Sequence, residues 1–215
     1  LFAHVKIKSV YYLTPHWSLA VLNLLKAISL LLFISCLAAC KPASDANQLV
    51  ATDITGADFG QSFQLTDHSG QARSLADFKG KAVALFFGYT HCPDVCPTTM
   101  ADLKQTMKLL GTRADELQVL FVTLDPERDT QEVLAKFVPA FDARFIGLRG
   151  TVEETAATAK VFKIFSSKVQ AEGRSGYTID HSAGMYVFDK AGKIRLYVDY
   201  GEKPADIAND IKLIL

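Results

Sequence analysis

The sequence is short of cysteine, of basic excess and, at its start, of acidic residues, and each shortage excludes something. Of four cysteines, Cys36 and Cys40 fall in the first forty residues, which leaves only Cys92 and Cys96 downstream. Two thiols cannot build a disulfide framework; they form one redox pair or supply two ligands to a metal. Cys-x-x-Cys-His does not occur, so attached c-type haem is excluded. Lysine and arginine number 23 against 23 acidic residues, and a basic nucleic-acid footprint is absent. No Gly/Ser-rich linker, repeat or low-complexity tract interrupts the stretch from Ala51 to Leu215. It reads as one globular unit.

The first 39 residues differ in kind from the rest. They hold Lys6, Lys8 and Lys26, no Asp or Glu, and then an apolar run of 13 residues from Ala27 to Ala39. The run is shorter than the roughly 20 residues a helix needs to cross a bilayer, which favours a secretion signal over a permanent span. Leu37-Ala38-Ala39-Cys40 closes it and resembles a bacterial lipobox, in which the peptide is cut before a cysteine that then receives lipid. The expected organisation is therefore a signal over 1–39, a polar tether over 40–55 beginning at lipidated Cys40, and a domain over 56–215. An uncleaved signal anchor is the alternative. Without the signal, 20 basic residues face 23 acidic ones, a net charge of −3, and 176 residues remain, enough for one well-buried domain.

Within that part, Ala82 to Tyr89 is a short apolar and aromatic run of the kind that forms a central strand buried on both faces. From Thr98 to Leu110 the pattern is helical, with Leu103, Met107 and Leu110 on one face and Gly111 where the helix would stop. Leu117 to Leu124 predicts a second buried strand, Glu132 to Phe141 and Val152 to Phe162 further helices, and Phe145 to Leu148 a short strand between them. Met185 to Phe188 and Ile194 to Val198 flank Asp189-Lys190-Ala191-Gly192-Lys193, a hairpin signature. A last helix starts at Pro204 and buries Ile207 and Ile211. Ser62 to Leu75, with a turn at Asp67-His68-Ser69-Gly70, is an extra N-terminal piece. The order βαβα, hairpin, helix matches the thioredoxin plan, an α/β fold with a central mixed sheet flanked by helices and, here, an N-terminal β extension.

The chemistry concentrates at Cys92 and Cys96. Pro97 fits a first helical turn and biases its predecessor away from helical geometry, so Cys96 is expected at the N-cap with Cys92 in the preceding loop. Unpaired N–H groups and a partial positive charge there favour thiolate over thiol. That would serve nucleophilic exchange or ligation of a soft metal. Three residues separate the cysteines, where thiol oxidoreductases of this fold usually have two. The wider loop lets both sulfurs turn to one guest atom, yet it does not prevent a disulfide.

Phe86-Phe87-Gly88-Tyr89-Thr90-His91-Cys92-Pro93-Asp94-Val95-Cys96-Pro97 resembles the signature of the Sco/SenC family of copper proteins. Leu124-Asp125-Pro126-Glu127-Arg128-Asp129-Thr130 and Asp180-His181-Ser182 are similar to its second and third motifs, in the same order, and the likeness runs from about Ser62 to the C-terminus. The resemblance implies copper, Cu(I) or Cu(II), held by two cysteines and a histidine, which map onto Cys92, Cys96 and His181. It also implies a partner, the copper-A subunit of cytochrome c oxidase, whose assembly the family assists. Other copper chaperones or thiol reductants are further partners. The implied place is the extracytoplasmic, periplasmic face of a bacterial envelope, reached through the lipid on Cys40. Thiolate sulfur suits Cu(I), and imidazole is acceptable to both copper states.

In thioredoxin-like oxidoreductases a cis-proline faces the cysteine pair before the third strand, but no proline lies between Pro139 and Pro204, and His181 falls in that region. This suggests that metal binding has replaced peptide clamping. The competing function is a thiol:disulfide oxidoreductase that uses Cys92 and Cys96 as a redox pair; it needs no imidazole. His91 is expected to be a supporting or surface group and not a fourth ligand. Met100, Met107 and Met185 fit packing positions, and His4, His16 and His68 lack partners at ligand spacing. Asp125, Arg128 and Asp129 either position a partner or brace a loop.

Overall fold

The computed structural model describes residues 48–170 and 176–215, together with Asn23, Lys26 and Ile28. The chain divides into two units, Leu1–Ala46 and Asn47–Leu215. In the first, Asn23, Lys26 and Ile28 are helical; the rest of the expected signal, with its lipobox and the start of the tether, lies outside the described residues. Among the described residues no helix is long and apolar enough to cross a membrane.

The second unit is built on strand β4 (Ala82–Gly88), all seven residues of which are buried. It pairs in parallel with β5 (Leu117–Thr123), also buried throughout, with Phe86 opposite Phe121. On its other edge β4 runs antiparallel to β9 (Met185–Phe188). Strands that read as continuous apolar runs are those covered on both faces, and here the sequence pattern and the burial agree. β10 (Ile194–Val198) returns antiparallel to β9 through the expected turn, where Gly192 takes φ 77°. β6 (Ile146–Arg149) adds in parallel to β5, and the hairpin β2 (Gln64–Asp67) and β3 (Ala72–Ser74) extends that edge. With β1 (Thr52–Asp53) on β10, the sheet order is β1-β10-β9-β4-β5-β6-β2-β3.

Helix α1 (Val95–Leu110) buries Cys96, Met100, Leu103, Met107 and Leu110 along one face. It packs beside the C-terminal helix α4 (Pro204–Ile214), which buries Ile207 and Ile211 and begins on a proline. Helix α2 (Gln131–Phe137) lies on β6 and α3 (Val152–Val161) on β2. All three methionines are packed, none more than 3% exposed, as their spacing predicts.

Two features depart from the sequence reading. The folded unit begins before residue 56: the expected tether contributes β1, and the backbone N–H groups of Val50 and Ala51 donate to the buried carboxylate of Asp210 on α4, at 3.1 and 2.7 Å. A short polar segment can be ordered by one such long-range acceptor, which no local pattern reveals. The second is a separate two-stranded ribbon, β7 (Ser166–Gln170) and β8 (Tyr177–His181). Every residue of β7 is exposed, so the strand carries no alternation to betray it.

Candidate metal centre

Cys92 and Cys96 lie where β4 hands over to α1. The strand ends on Gly88 because nothing larger fits: a Cβ there would stand 2.9 Å from the Cys96 sulfur and 2.9 Å from the Phe121 ring. The loop from Tyr89 to Asp94 carries Cys92, whose N–H donates to the Tyr89 carbonyl at 3.3 Å. The N-cap of helix α1 lies two residues earlier than expected. Asp94 is the N-cap, and Cys96 is the second helical residue. Pro97 is accommodated because the first four helical N–H groups have no intrahelical partner in any case. The first helical bond is donated by Thr98 to the Asp94 carbonyl at 3.2 Å. The Asp94 side chain makes no capping bond; the sulfur of Cys92 accepts the Cys96 N–H at 3.4 Å.

Both cysteines are free, Cys92 partly exposed and Cys96 buried. The expected thiolate-favouring shift is reversed at Cys96. Burial pushes its thiol up, and the Cys92 sulfur and the Asp129 carboxylate add to that, against a hydrogen bond from the backbone of Tyr89. With no exposed surface, desolvation of the charged form outweighs the helix N-terminus.

The histidine comes from the far end of the ribbon. His181 ends β8, and its Nδ1–H donates to the Ser182 carbonyl at 2.7 Å. Because a carbonyl can only accept, the other nitrogen carries the lone pair. That Nε2 stands 3.7 Å from the sulfur of Cys96. Burial holds the imidazole below its usual pKa, against the Ser182 carbonyl and Asp180, so it is kept neutral as a ligand must be. Its ring stands edge-on to buried Tyr89, centroids 6.0 Å apart.

The chemistry of this pair suits a soft cation. Taking zinc bond lengths as a guide, about 2.3 Å to sulfur and about 2.0 Å to nitrogen, three-coordination at roughly 120° separates two such donors by about 3.7 Å. Among the described residues no three His, Cys, Asp or Glu side chains already converge as a metal cage. Cys96 and His181 stand at that separation, and Cys92, whose sulfur accepts the Cys96 N–H, stands beside them.

Asp125, Arg128 and Asp129 brace the site. The carboxylate of Asp129, with no exposed surface, accepts the Thr90 N–H at 2.9 Å, the Thr90 hydroxyl at 2.5 Å and the Thr123 hydroxyl at 2.6 Å. Buried Asp125 accepts the Tyr177 hydroxyl at 2.7 Å and pairs with Arg128. The Arg128 guanidinium in turn donates to the Tyr177 carbonyl at 3.0 Å and lies 3.8 Å from the centre of the Tyr177 ring. One motif thereby fastens both the loop that carries Cys92 and the strand that ends in His181. Gly88 and Thr90 lie within the first motif but were given no role by the sequence, and Tyr177 lies outside the three motifs. The glycine closing a buried strand was the one available signal, since Gly in a strand marks a close approach.

His91 is exposed, with Nδ1 at 3.1 Å from the Thr90 hydroxyl and 3.7 Å from Asp129. His68 is remote; its Nδ1 accepts the Gly147 N–H at 2.9 Å. His4 and His16 lie outside the described residues.

A family model, SCO1/SenC, matches residues 51–215. The chain belongs to the SCO1/SenC family. It is 38% identical over 140 residues to the mitochondrial SCO2 homolog of Bos taurus, an alignment covering 64% of this chain and 52% of that protein. The chain spans about half the length of that and similar curated relatives. Among solved structures, Bradyrhizobium japonicum ScoI with copper bound aligns at a TM-score of 0.67 and 36% identity, over 73% of this chain and 99% of that one. A SCO1/SenC family lipoprotein from Bacillus anthracis aligns at a TM-score of 0.60 and 26% identity, over 71% of this chain and 92% of that one. The fold of this SCO1/SenC chain is thioredoxin-like, as its element order predicts. In this member of the family, among the described residues, there is no cis peptide bond.

Proposed function

We propose that this chain is a copper metallochaperone. It takes one copper ion through Cys92, Cys96 and His181 and delivers it to the copper-A centre of cytochrome c oxidase, or assists assembly of that centre. The observation that carries the reading is the approach of Cys96 sulfur and the bare Nε2 of His181, 3.7 Å apart across 85 residues of sequence. A sulfur and an imidazole so placed form a mixed soft and borderline donor pair, which with a second thiolate accepts Cu(I) and tolerates Cu(II). The copper-bound ScoI structure of the same fold supports the choice of metal. Copper is the cargo: a three-donor site leaves a position at which an acceptor ligand enters.

We further infer that the protein works from the extracytoplasmic face of a bacterial envelope, held there by lipid on Cys40. The apolar run ending in Leu37-Ala38-Ala39-Cys40 supports this, as does the likeness to a Bacillus lipoprotein.

The free state of Cys92 and Cys96, one partly exposed and one against it, favours a second reading, a thiol:disulfide oxidoreductase acting on cysteines of the oxidase or of another exported protein. Oxidase activity in cells carrying only His181→Ala at normal abundance separates the two. Copper delivery predicts loss of activity despite a working dithiol. Full activity without added copper favours the oxidoreductase.

A further inference from the structure

We propose that His91 is the transfer ligand of the site. Its Nε2, on an exposed side chain, takes copper from buried Cys96 and half-buried His181 and holds it with Cys92 at the surface until an acceptor displaces it. The inference rests on the copper reading above.

The two histidines flanking the cysteines are prepared alike. His181 has Nδ1 tied to the Ser182 carbonyl. His91 has Nδ1 at 3.1 Å from the Thr90 hydroxyl, and that hydroxyl has already committed its single proton to Asp129, at 2.5 Å. The Thr90 oxygen is left to accept, so Nδ1 of His91 carries the hydrogen and Nε2 is bare. Asp129 lies only 3.7 Å from the same Nδ1. At that distance the carboxylate orients the ring through the Thr90 hydroxyl, as outer partners orient ligating histidines.

In exposure the two differ. The His91 side chain is 52% exposed, Cys92 is partly exposed, and Cys96 has no exposed surface. Of the three ligands Cys96 is the one an acceptor reaches last, so the metal has to leave it before transfer is complete. Cys92 is the outer thiol and needs a second donor at the surface, and the adjacent residue supplies one in the correct tautomer.

The step is a ligand exchange with no electron transfer. A copper–nitrogen bond to His91 forms as the one to His181 breaks. The copper–sulfur bond to Cys96 then breaks as the acceptor's first donor bonds, and the bonds to Cys92 and His91 break as further acceptor donors bond, each cysteine recovering a proton from solvent.

Stopped-flow transfer of Cu(I) from the full chain to a nitrogen chelator of Cu(I), followed by the chelator's absorbance, tests this with the unsubstituted protein, His91→Leu and His91→Met. All three are expected to load one copper. His91→Leu should transfer about tenfold more slowly, and His91→Met should restore most of the rate, since a thioether is a soft ligand without charge. An unaltered rate in His91→Leu, or a His91→Met protein as slow as His91→Leu, overturns the proposal while leaving the copper site standing. Absence of copper uptake by the unsubstituted chain overturns the copper reading and the transfer ligand with it.

Discussion

Asp129 holds Thr90 by two hydrogen bonds, from its N–H at 2.9 Å and its hydroxyl at 2.5 Å, across 39 residues of sequence. The carboxylate also takes the Thr123 hydroxyl and has no exposed surface. Removing it strands the buried Thr123 hydroxyl, at about 1–3 kcal/mol for a buried group left unpaired, and two donors of half-buried Thr90, which water can partly satisfy. Asp129→Ala is expected to lose about 1–3 kcal/mol in urea unfolding. In the fraction that stays folded, the loop of Cys92 should be released and copper affinity should fall. A variant within about 0.5 kcal/mol of the parent would show that Thr123 and Thr90 find other partners.

Gly88 makes room for the Cys96 sulfur. Gly88→Ala places a methyl group 2.9 Å from that sulfur and from the Phe121 ring, an overpacking of the kind that costs about 1–3 kcal/mol. Thermal unfolding should report the loss. Copper titration should report a weaker site, because the sulfur must move relative to His181. Equal copper affinity in the two proteins would mean that the sulfur's position is not fixed by the strand end.

Much of this was legible in the sequence, for reasons that explain the rest. β4 and β5 announce themselves because both faces are buried, and α1 because Leu103, Met107 and Leu110 recur at helical spacing. The cysteine loop and His181 were found through motif resemblance, and the structure brings Cys96 and His181 together. What stayed hidden depends on contacts distant in sequence. β1 is ordered by Asp210, β7 has no buried face, and the role of Asp125 and Asp129 appears only once Thr90 and Tyr177 are seen beside them. The Cys96 thiol was misjudged because its placement at a helix start is local, whereas its burial is a property of the whole fold.

Asp67, at the β2–β3 turn, is almost fully buried and its carboxyl is lowered to about 2. Burial alone would raise it, but hydrogen bonds from Ser69, Gln71 and Arg73 outweigh burial, with the Arg73 Nε at 2.7 Å. A carboxyl depressed on folding contributes stability that is fully present above its unfolded pKa near 4 and is lost as pH falls through the folded value. The loss, on the order of 2 kcal/mol, should therefore appear between about pH 4 and pH 2. Urea unfolding across that window, compared with Asp67→Asn, checks it: the variant should show a shallower pH dependence by that amount.

Cys40 is expected to carry the lipid. Cys40→Ala should release the protein from membranes or block its maturation, read by fractionation and by electrophoretic mobility. Unchanged size together with unchanged membrane attachment would point to an uncleaved signal anchor.

The central claim is that Cys92, Cys96 and His181 together hold one copper. X-ray absorption at the copper edge on the loaded chain, beside its His181→Ala form, tests it most directly. The parent should show one copper per chain with sulfur at two positions and one imidazole nitrogen. The variant should keep the sulfurs, lose the imidazole signal and bind Cu(II) far more weakly, because that ion depends more on nitrogen. A copper environment without sulfur in the parent would contradict the account.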